Sequence, residues 1–398
     1  MTDGVPASAE DFRRMARARL PRRLFDYLDG GAGREITLQA NISDFENIRL
    51  RQRVLRNISN IQTGIELFGE TLAMPVILAP IGMAGLMARR AEVQAKKVAD
   101  RAGIPFTLST MGICPIDEVA RVSDKPAWFQ IYMLRDRGIV SEILGRAWDN
   151  GVRTLVFTVD LNVLGVRYRE IRNGMFGGSG WYGNLRAGAV DYALHPRWLW
   201  DVGVRGGPHR LGNIARYVPG PRRLSDFRTW IDSQIDGSIS WKDIEWLRQQ
   251  WKGNLVLKGI LDEEDARKCL VTGADGLVVS NHGGRQLDGV ASTAIMLPRI
   301  ADALGNSLPL IVDGGIRSGQ DIVKAVALGA RAVMIGRPWI FALSGRGEAG
   351  LEHLLTLMRM DMHTALGLSG FPDVIMVDRT ALMTSCAGVQ HWHTAIER

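Results

Sequence analysis

A histidine and an arginine separated by two glycines stand in the run Ser280-Asn281-His282-Gly283-Gly284-Arg285. The run follows four apolar residues, which predict a buried parallel strand. An imidazole can take up a proton near neutral pH, and a guanidinium can hold a carboxylate through two hydrogen bonds. Paired glycines let the backbone turn sharply, so both side chains can face one ligand. The pattern predicts a base beside an anchor for an organic acid; a tight turn with solvated side chains is the alternative.

Further apolar runs alternate with helical patterns along the chain. The predicted strands are Val76–Ala79, Phe106–Ser109, Trp128–Tyr132, Thr154–Val159, Leu255–Leu257, Gly276–Ser280, Leu308–Val312 and Ala332–Ile335. The predicted helices between and after them are Ala91–Ala102, Asp136–Asn150, Glu263–Thr272, Thr293–Leu304, Gly319–Leu328 and Gly350–Leu366. Eight such units joined by right-handed crossovers predict an α/β fold of the (β/α)8 or TIM barrel type. A doubly wound sheet is the alternative.

Two segments lie outside this rhythm. Residues 8–32 predict an N-terminal helical segment of two short helices, the first capped by Ser8 and the second ended by Gly30 and Gly31. A long insertion follows the fourth strand, at about 171–240, where such loops usually have ~2–6 residues. We expect one domain over 1–398, with the barrel from about 70 to 366.

Polar side chains accompany the ends of nearly all the predicted strands. They are Ser109, Gln130, Tyr132, Thr158, Asp160, Lys258, His282, Arg285, Asp313 and Arg337. Because the carboxyl ends of barrel strands meet on one face, these residues predict a single site. The glycine-rich runs Asp313–Gly319 and Gly336-Arg337, beside a helix start, predict a phosphate cradle. That cradle alone fits any phosphate ligand, including a nucleotide or an isoprenoid diphosphate.

The whole pattern resembles the FMN-dependent α-hydroxy acid oxidoreductases, a family that includes glycolate oxidases, lactate oxidases, mandelate dehydrogenases and respiratory lactate dehydrogenases. The resemblance implies FMN as cofactor, bound by Ser109, Gln130, Thr158, Lys258, Asp313, Gly315, Arg317, Gly336 and Arg337. It also implies a substrate and catalytic set of Tyr27, Tyr132, Asp160, Arg167, His282 and Arg285.

The resemblance assigns a role to each of these side chains. A 2-hydroxy acid would have its carboxylate held by Tyr27, Arg167 and Arg285. Tyr132 would hydrogen-bond near the reacting hydroxyl. His282 would be the general base, oriented by Asp160, and would take either the α-carbon proton or the hydroxyl proton. Lys258 would offset the negative charge that builds on the flavin during reduction.

Finer features point to a branch of the family. Gly82 stands where oxygen-using members carry alanine, and glycine there resembles the dehydrogenases and monooxygenases. The segments Leu194–Trp198 and Pro208–Asn213 are most similar to bacterial respiratory L-lactate dehydrogenases. We therefore expect oxidation of a lactate-like L-2-hydroxy acid to the 2-oxo acid, with electrons passed to a quinone or another non-oxygen acceptor, such as a protein. The alternatives are a soluble oxidase that produces hydrogen peroxide and a non-redox phosphate-binding barrel such as a diphosphate isomerase.

The composition and net charge of the chain limit the partners and the cell compartment that we expect. The net charge is +7, but no basic helix with interleaved aromatics or zinc finger accompanies it, so we expect no nucleic-acid partner. Three cysteines without metal-site spacing predict no metal and a reducing compartment, and the start lacks an apolar signal segment, so we expect a cytoplasmic protein.

Residues 171–230 hold nine arginines and nine aromatic residues. They predict peripheral contact with the inner face of the cell membrane, or a lid over the site. The resemblance implies a homo-oligomer, a tetramer.

Overall fold

The computed structural model describes residues 4–174, 190–220 and 224–383. Within them, eight parallel strands form the barrel: β1 (Val76–Leu78), β2 (Thr107–Ser109), β3 (Trp128–Ile131), β4 (Thr154–Thr158), β5 (Asn254–Ile260), β6 (Gly276–Val279), β7 (Leu310–Asp313) and β8 (Ala332–Ile335). A parallel bridge between Leu78 and Phe106 joins β1 to β2 and closes the ring. The predicted TIM barrel is therefore confirmed.

The helices lie around this ring and before it. They are α1 (Ala9–Arg19), α2 (Arg22–Asp29), α3 (Ile36–Asn47), α4 (Ala91–Ala102), α5 (Ile116–Ala120), α6 (Arg137–Asp149), α7 (Tyr168–Arg172), α8 (Asp191–Ala193), α9 (Pro196–Trp198), α10 (Leu224–Gln234), α11 (Trp241–Gln250), α12 (Glu263–Cys269), α13 (Thr293–Leu304), α14 (Gly319–Ala327) and α15 (Arg337–Ser369). Short 3-10 turns cover Ala84–Leu86, Val374–Met376 and Arg379–Ala381, and a π-helical turn covers Leu199–Val204. The last helix begins earlier than predicted, with a kink at Gly347 (φ 66°).

The amino end of the barrel is closed by a hairpin that the sequence patterns did not predict. Its strands are Ile65–Leu67 and Glu70–Leu72, and its turn carries Phe68. The Phe68 ring packs on Trp128 at a centroid distance of 5.7 Å. It also lies so close to Gly276 that a β-carbon there would meet it at 2.6 Å. The hairpin fills this end of the barrel, and the opposite end carries the polar groups.

The N-terminal segment contains the two predicted helices and a third, α3. Ser8 caps α1 as predicted, because its side chain accepts a hydrogen bond from the Asp11 amide. Helix α3 was missed because its buried face includes Thr37 and Asn41 and so lacks an apolar stripe. Asn41 and Asn281 exchange two side-chain hydrogen bonds of 2.8 Å, so α3 is fastened to the loop after β6.

One predicted strand boundary is wrong in a way that affects the site. Lys258 was placed at the end of its strand, but β5 continues to Ile260. The pairing between β5 and β6 shifts register between Lys258 and Ile260, where Gly259 has φ 110°. Lys258 is therefore held inside the sheet, with its side chain buried.

The insertion after β4 is described in part. Of the predicted 171–240, residues 175–189 and 221–223 lie outside the described residues. In the described part, Trp198 is buried, and its indole N–H donates to the Leu86 carbonyl over 2.9 Å. Asp201 pairs with Arg19 of α1 at 2.8 Å. No helix within the described residues is long and apolar enough to cross a membrane.

Candidate active site

A cavity of about 1160 Å³ opens at the carboxyl ends of the strands. Most of the residues predicted for the site line it: Tyr27, Tyr132, Thr158, Arg167, Lys258, His282, Arg285, Asp313, Gly315, Arg317, Gly336 and Arg337. Ser109, Gln130 and Asp160 lie behind this wall. Ser109 donates a hydrogen bond to the Gln130 side chain, which donates to Thr158, each over 3.0 Å. The structure thus brings the whole predicted set to one end of the barrel.

His282 is held in a fixed direction. Its Nδ1 lies 2.9 Å from Oδ1 of Asp160, and its backbone N–H donates to the Ser280 hydroxyl over 3.0 Å. The backbone of His282 is left-handed (φ 58°), as are those of Gly283 and Gly284. This conformation is uncommon for residues other than glycine, and such residues cluster where a function requires them. The turn directs the imidazole to the cavity and to Asp160 together.

Lys258 lies at the centre of the buried charges. Its ammonium pairs with Asp313 at 2.8 Å and donates to the Ser280 hydroxyl over 3.0 Å. Burial alone would lower the pKa of Lys258, but the charges of Asp313 and Asp160 outweigh it and raise that pKa above its ordinary value. Lys258 therefore remains a cation at neutral pH.

Asp160 is ionised because His282 and the Lys258 cation stabilise its negative charge. Burial opposes its ionisation, but the charge and hydrogen bond of His282 and the charge of Lys258 together lower the pKa of Asp160. Its second oxygen, Oδ2, is buried without a hydrogen-bond partner among the described residues. An ionised carboxylate at this distance accepts the N–H of the imidazole Nδ1 and leaves Nε2 as the nitrogen that can take a proton.

Two arginines and a carboxylate form a buried group beside His282. Glu170 is almost completely buried and lies 3.3 Å from Arg167 and 3.5 Å from Arg285. Arg285 also donates to the carbonyls of Tyr27 (2.6 Å) and Gly30 (2.9 Å), and its guanidinium covers the Tyr27 ring. Burial and the nearby Arg167 lower the pKa of Arg285. The three charges sum to one positive charge, which suits a monocarboxylate.

A second cationic group lies at the ends of β7 and β8. Arg337 donates to the carbonyls of Leu28 (3.1 Å), Gly283 (2.9 Å) and Gly30 (2.8 Å). Burial, with the charges of Arg285 and Arg317, lowers the pKa of Arg337 to about 9. Burial likewise lowers the pKa of Arg317. Because guanidinium groups retain their protons in proteins, such a cluster favours an anion such as a phosphate.

The helix start that was expected beside this cationic group is already capped by side chains of the same helix. Ser318 and Asp321 form a capping box at the start of α14, and Asp321 accepts from the backbone N–H groups of Arg317 and Ser318, each over 3.0 Å. These two donors are satisfied within the chain. A phosphate would therefore depend on the glycine backbone and on the guanidiniums of Arg317 and Arg337.

The residues at this end of the barrel fit FMN. Arg317 and Arg337 suit the phosphate, and Oδ1 of Asp313 is a buried acceptor that lacks a partner among the described residues, as the ribityl hydroxyls require. Gly314 and Gly315 have φ of 89° and 90°, and a β-carbon on Gly315 would meet the Asn41 carbonyl oxygen at 1.9 Å. The backbone there leaves no room for a side chain and can approach a ligand closely.

Comparison with known proteins agrees with this geometry. The FMN-dependent dehydrogenase family model matches residues 16–384. L-lactate dehydrogenase from Xanthomonas campestris pv. campestris (strain 8004) is 54% identical over 95% of this chain and 97% of its own. That from Xanthomonas oryzae pv. oryzae (strain PXO99A) is 53% identical over 95% and 96%. The crystal structure of the monotopic membrane protein (S)-mandelate dehydrogenase matches with a TM-score of 0.88 and 35% identity, over 96% of this chain and 100% of that one.

The chain belongs to the FMN-dependent dehydrogenase family. It is an oxidoreductase with a TIM-barrel fold, and its cofactor is FMN. The family match decides against the non-redox barrel that the phosphate cradle alone left open.

Two residues of the site were missed by sequence reasoning. Glu170 lies within a basic run, Arg167-Tyr168-Arg169-Glu170, and the only local signal was its spacing three residues after Arg167. Ser280 was assigned to the end of a strand, yet its hydroxyl contacts both Lys258 and the His282 backbone. The contacts of Ser280 with Lys258 and of Glu170 with Arg285 cannot be read from the sequence, because each joins residues far apart along the chain.

Replacement of Glu170 by glutamine should strengthen anion binding. The variant keeps the shape but raises the charge of the group it forms with Arg167 and Arg285 by one unit. At a few ångströms in a partly buried site, one charge is worth a few kcal/mol at most, so we expect oxalate to bind about tenfold tighter. Oxalate titration followed by flavin absorbance measures this. Glu35→Gln, which removes a pairing of Arg169 outside the cavity, should leave it unchanged. Weaker oxalate binding in Glu170→Gln would show that Glu170 only positions the arginines.

Proposed function

We propose that this enzyme oxidises an L-2-hydroxy acid of the lactate class to the 2-oxo acid and passes the electrons to a quinone or another non-oxygen acceptor. The observation that carries the proposal is the His282–Asp160 pair: His282 lines the same cavity as Arg167 and Arg285, and Asp160 lies behind it at 2.9 Å. A base and a carboxylate anchor in one cavity match the two ends of a 2-hydroxy acid. The names of the relatives support the same substrate class.

The substrate carboxylate binds to the arginine pair in this proposal. A guanidinium carries five N–H donors in one plane and can give two parallel hydrogen bonds to a carboxylate. Arg285 is oriented by its bonds to the carbonyls of Tyr27 and Gly30 and by Glu170. The Tyr27 ring lies against Arg285, and its hydroxyl lies 3.4 Å from the Gly82 carbonyl oxygen, where it can add a hydrogen bond to the substrate.

His282 removes a proton through Nε2, since Nδ1 is engaged by Asp160. The negative charge of Asp160 then stabilises the imidazolium that forms. Burial raises the pKa of Tyr132, so its phenol stays protonated and can donate to the substrate oxygen. When bound, FMN accepts the two electrons that leave the substrate. Lys258, a cation held in place by Asp313, favours the increase in negative charge. The proton taken by His282 comes from the α-carbon or from the hydroxyl.

The electron acceptor is proposed from Gly82. A β-carbon at this position would meet the Met111 side chain at 3.2 Å and the Tyr27 hydroxyl at 3.4 Å. Glycine therefore keeps a gap open beside the substrate residues that an alanine would fill. We attribute to this gap a preference for an acceptor other than oxygen, and the peroxide-producing oxidase is the alternative.

Anaerobic L-lactate should bleach the yellow holoenzyme, and the reduced enzyme should then reoxidise slowly in air but quickly with a soluble quinone. L-lactate, glycolate, L-mandelate and longer hydroxy acids, compared by stopped-flow absorbance, rank the substrates. The His282→Ala variant should retain FMN and fail to bleach, because its base acts on the substrate. A wild-type protein that none of these acids bleaches would refute the proposed function. Rapid turnover with oxygen that yields peroxide would favour the oxidase.

We also propose peripheral contact of residues 171–230 with the inner face of the cell membrane. In the described part, Leu194, Trp200 and Val204 are 72%, 61% and 61% exposed, which suits an interface. Trp198 lies in the same part but is buried, which supports the alternative that this residue belongs to a lid over the site. A homo-tetramer is proposed from the resemblance alone.

Intact protein should sediment with anionic vesicles at low salt and be released at high salt. Protein that stays in the supernatant at low salt would contradict the membrane contact.

A further inference from the structure

The cavity continues beyond the charged groups into an apolar arm. We define the apolar arm by Met83, Leu86, Tyr192, Trp198, Leu199 and Leu211, all of which line the cavity. The total volume of about 1160 Å³ exceeds the ~300–1,000 Å³ of a usual site for one small ligand. None of the residues of the apolar arm is among those assigned to the cofactor or to the hydroxy acid, so the arm is available to a further ligand.

The wall of the apolar arm is flat and aromatic. The rings of Tyr192 and Trp198 are stacked, with centroids 5.2 Å apart and planes inclined by 26°. Trp198 is fixed by the hydrogen bond from its indole to the Leu86 carbonyl. Flat rings offer a large apolar surface at little cost in side-chain entropy, and they favour other flat rings. The apolar arm is thus shaped for a planar apolar ligand.

His209 adds one polar group to the lining of this cavity. Its Nε2 lies 3.1 Å from the Gly203 carbonyl oxygen, to which it donates. That hydrogen bond assigns the tautomer and leaves Nδ1 as an acceptor. Nδ1 is shielded from solvent and has no hydrogen-bond partner in the part of the chain that the structure describes. A shielded acceptor of this kind favours a ligand with a hydroxyl on its edge.

The apolar arm is continuous with the substrate site. Met83 follows Gly82 directly and Leu86 lies one turn further on, and the Met83 amide donates to the Met111 carbonyl over 2.8 Å. A ligand in the apolar arm therefore reaches the cavity beside Tyr27, where the proposed substrate binds. A lactate side chain is a single methyl and cannot fill this space.

We propose that the apolar arm binds the head ring of a quinone, with the ring on the Tyr192–Trp198 wall and the quinol hydroxyl donating to Nδ1 of His209. The proposal rests on the proposed function, from which it takes the class of acceptor. The quinone gains two electrons and two protons, so that two C=O bonds become C–O–H groups. The hydroxy acid loses two electrons and two protons as its C–OH becomes C=O. The balance needs no other oxidant, and FMN, when bound, would carry the electrons between the two.

A charge placed in the apolar arm tests this site. Leu199 lines the cavity and is 42% exposed, so a glutamate there is tolerated by the fold but brings a carboxylate beside the ring. Val204 belongs to the same helical turn, is 61% exposed and does not line the cavity, so Val204→Glu is the matched control. Equilibrium dialysis of the oxidised holoenzyme with a soluble short-chain ubiquinone measures binding directly. We expect Leu199→Glu to bind it at least tenfold more weakly and Val204→Glu to match the wild type.

Kinetics separate this proposal from the proposed function. Leu199→Glu and His209→Leu should be bleached by L-lactate at the wild-type rate and reoxidised by ferricyanide normally, but reoxidised at least tenfold more slowly by the quinone. His363→Leu, at an exposed position on α15, controls for the loss of a histidine.

Unchanged quinone binding and reoxidation in both variants would refute the site while leaving the proposed function intact. A changed ranking of hydroxy acids, with unchanged quinone kinetics, would assign the apolar arm to the substrate side chain. A wild type that no hydroxy acid bleaches would refute the function instead.

Discussion

The hydrogen bond between His282 and Asp160 is the interaction on which the rest of the site depends. It joins the loops after β6 and β4, which are separated in the sheet by β5. Lys258 of β5 lies between them and helps to keep Asp160 ionised. The left-handed backbone of His282, fixed through Ser280, is needed to direct the ring. A closed barrel supplies these neighbours because its strands are rigid and its carboxyl ends converge.

The second constraint is the balance of buried charge. Lys258 is neutralised by Asp313, and Glu170 offsets one of two arginines, whereas Arg337 contacts only carbonyl groups among its described hydrogen bonds. Buried charges without partners are costly, so a site with excess positive charge is stabilised by anions. The phosphate of FMN and the carboxylate of a hydroxy acid are two such anions. Burial lowers the pKa values of Arg285, Arg317 and Arg337, and neighbouring arginines lower those of Arg285 and Arg337 further.

The parts of the structure predicted from sequence are those with a local cause. Strands buried on both faces appear in the sequence as continuous apolar runs. All eight strands were therefore predicted, and the predicted bounds of β8 are correct. Helix α3 was missed because Thr37 and Asn41 occupy its buried face, and they are buried through partners distant in sequence. Glu170 was missed because its pairing with Arg285 also joins residues far apart in sequence. The relation of Lys258 to its strand depends on a bulge, which no apolar pattern encodes.

The most direct test of this account is the rate constant of flavin reduction by L-lactate in Asp160→Asn, measured by anaerobic stopped-flow absorbance in a single turnover. An amide cannot stabilise the imidazolium and favours the wrong tautomer, so the rate should fall by about 100-fold or more. FMN content should match the wild type, because Asp160 lies behind the cavity wall and contacts His282. A variant that holds FMN and is bleached as fast as the wild type would contradict the role of the pair.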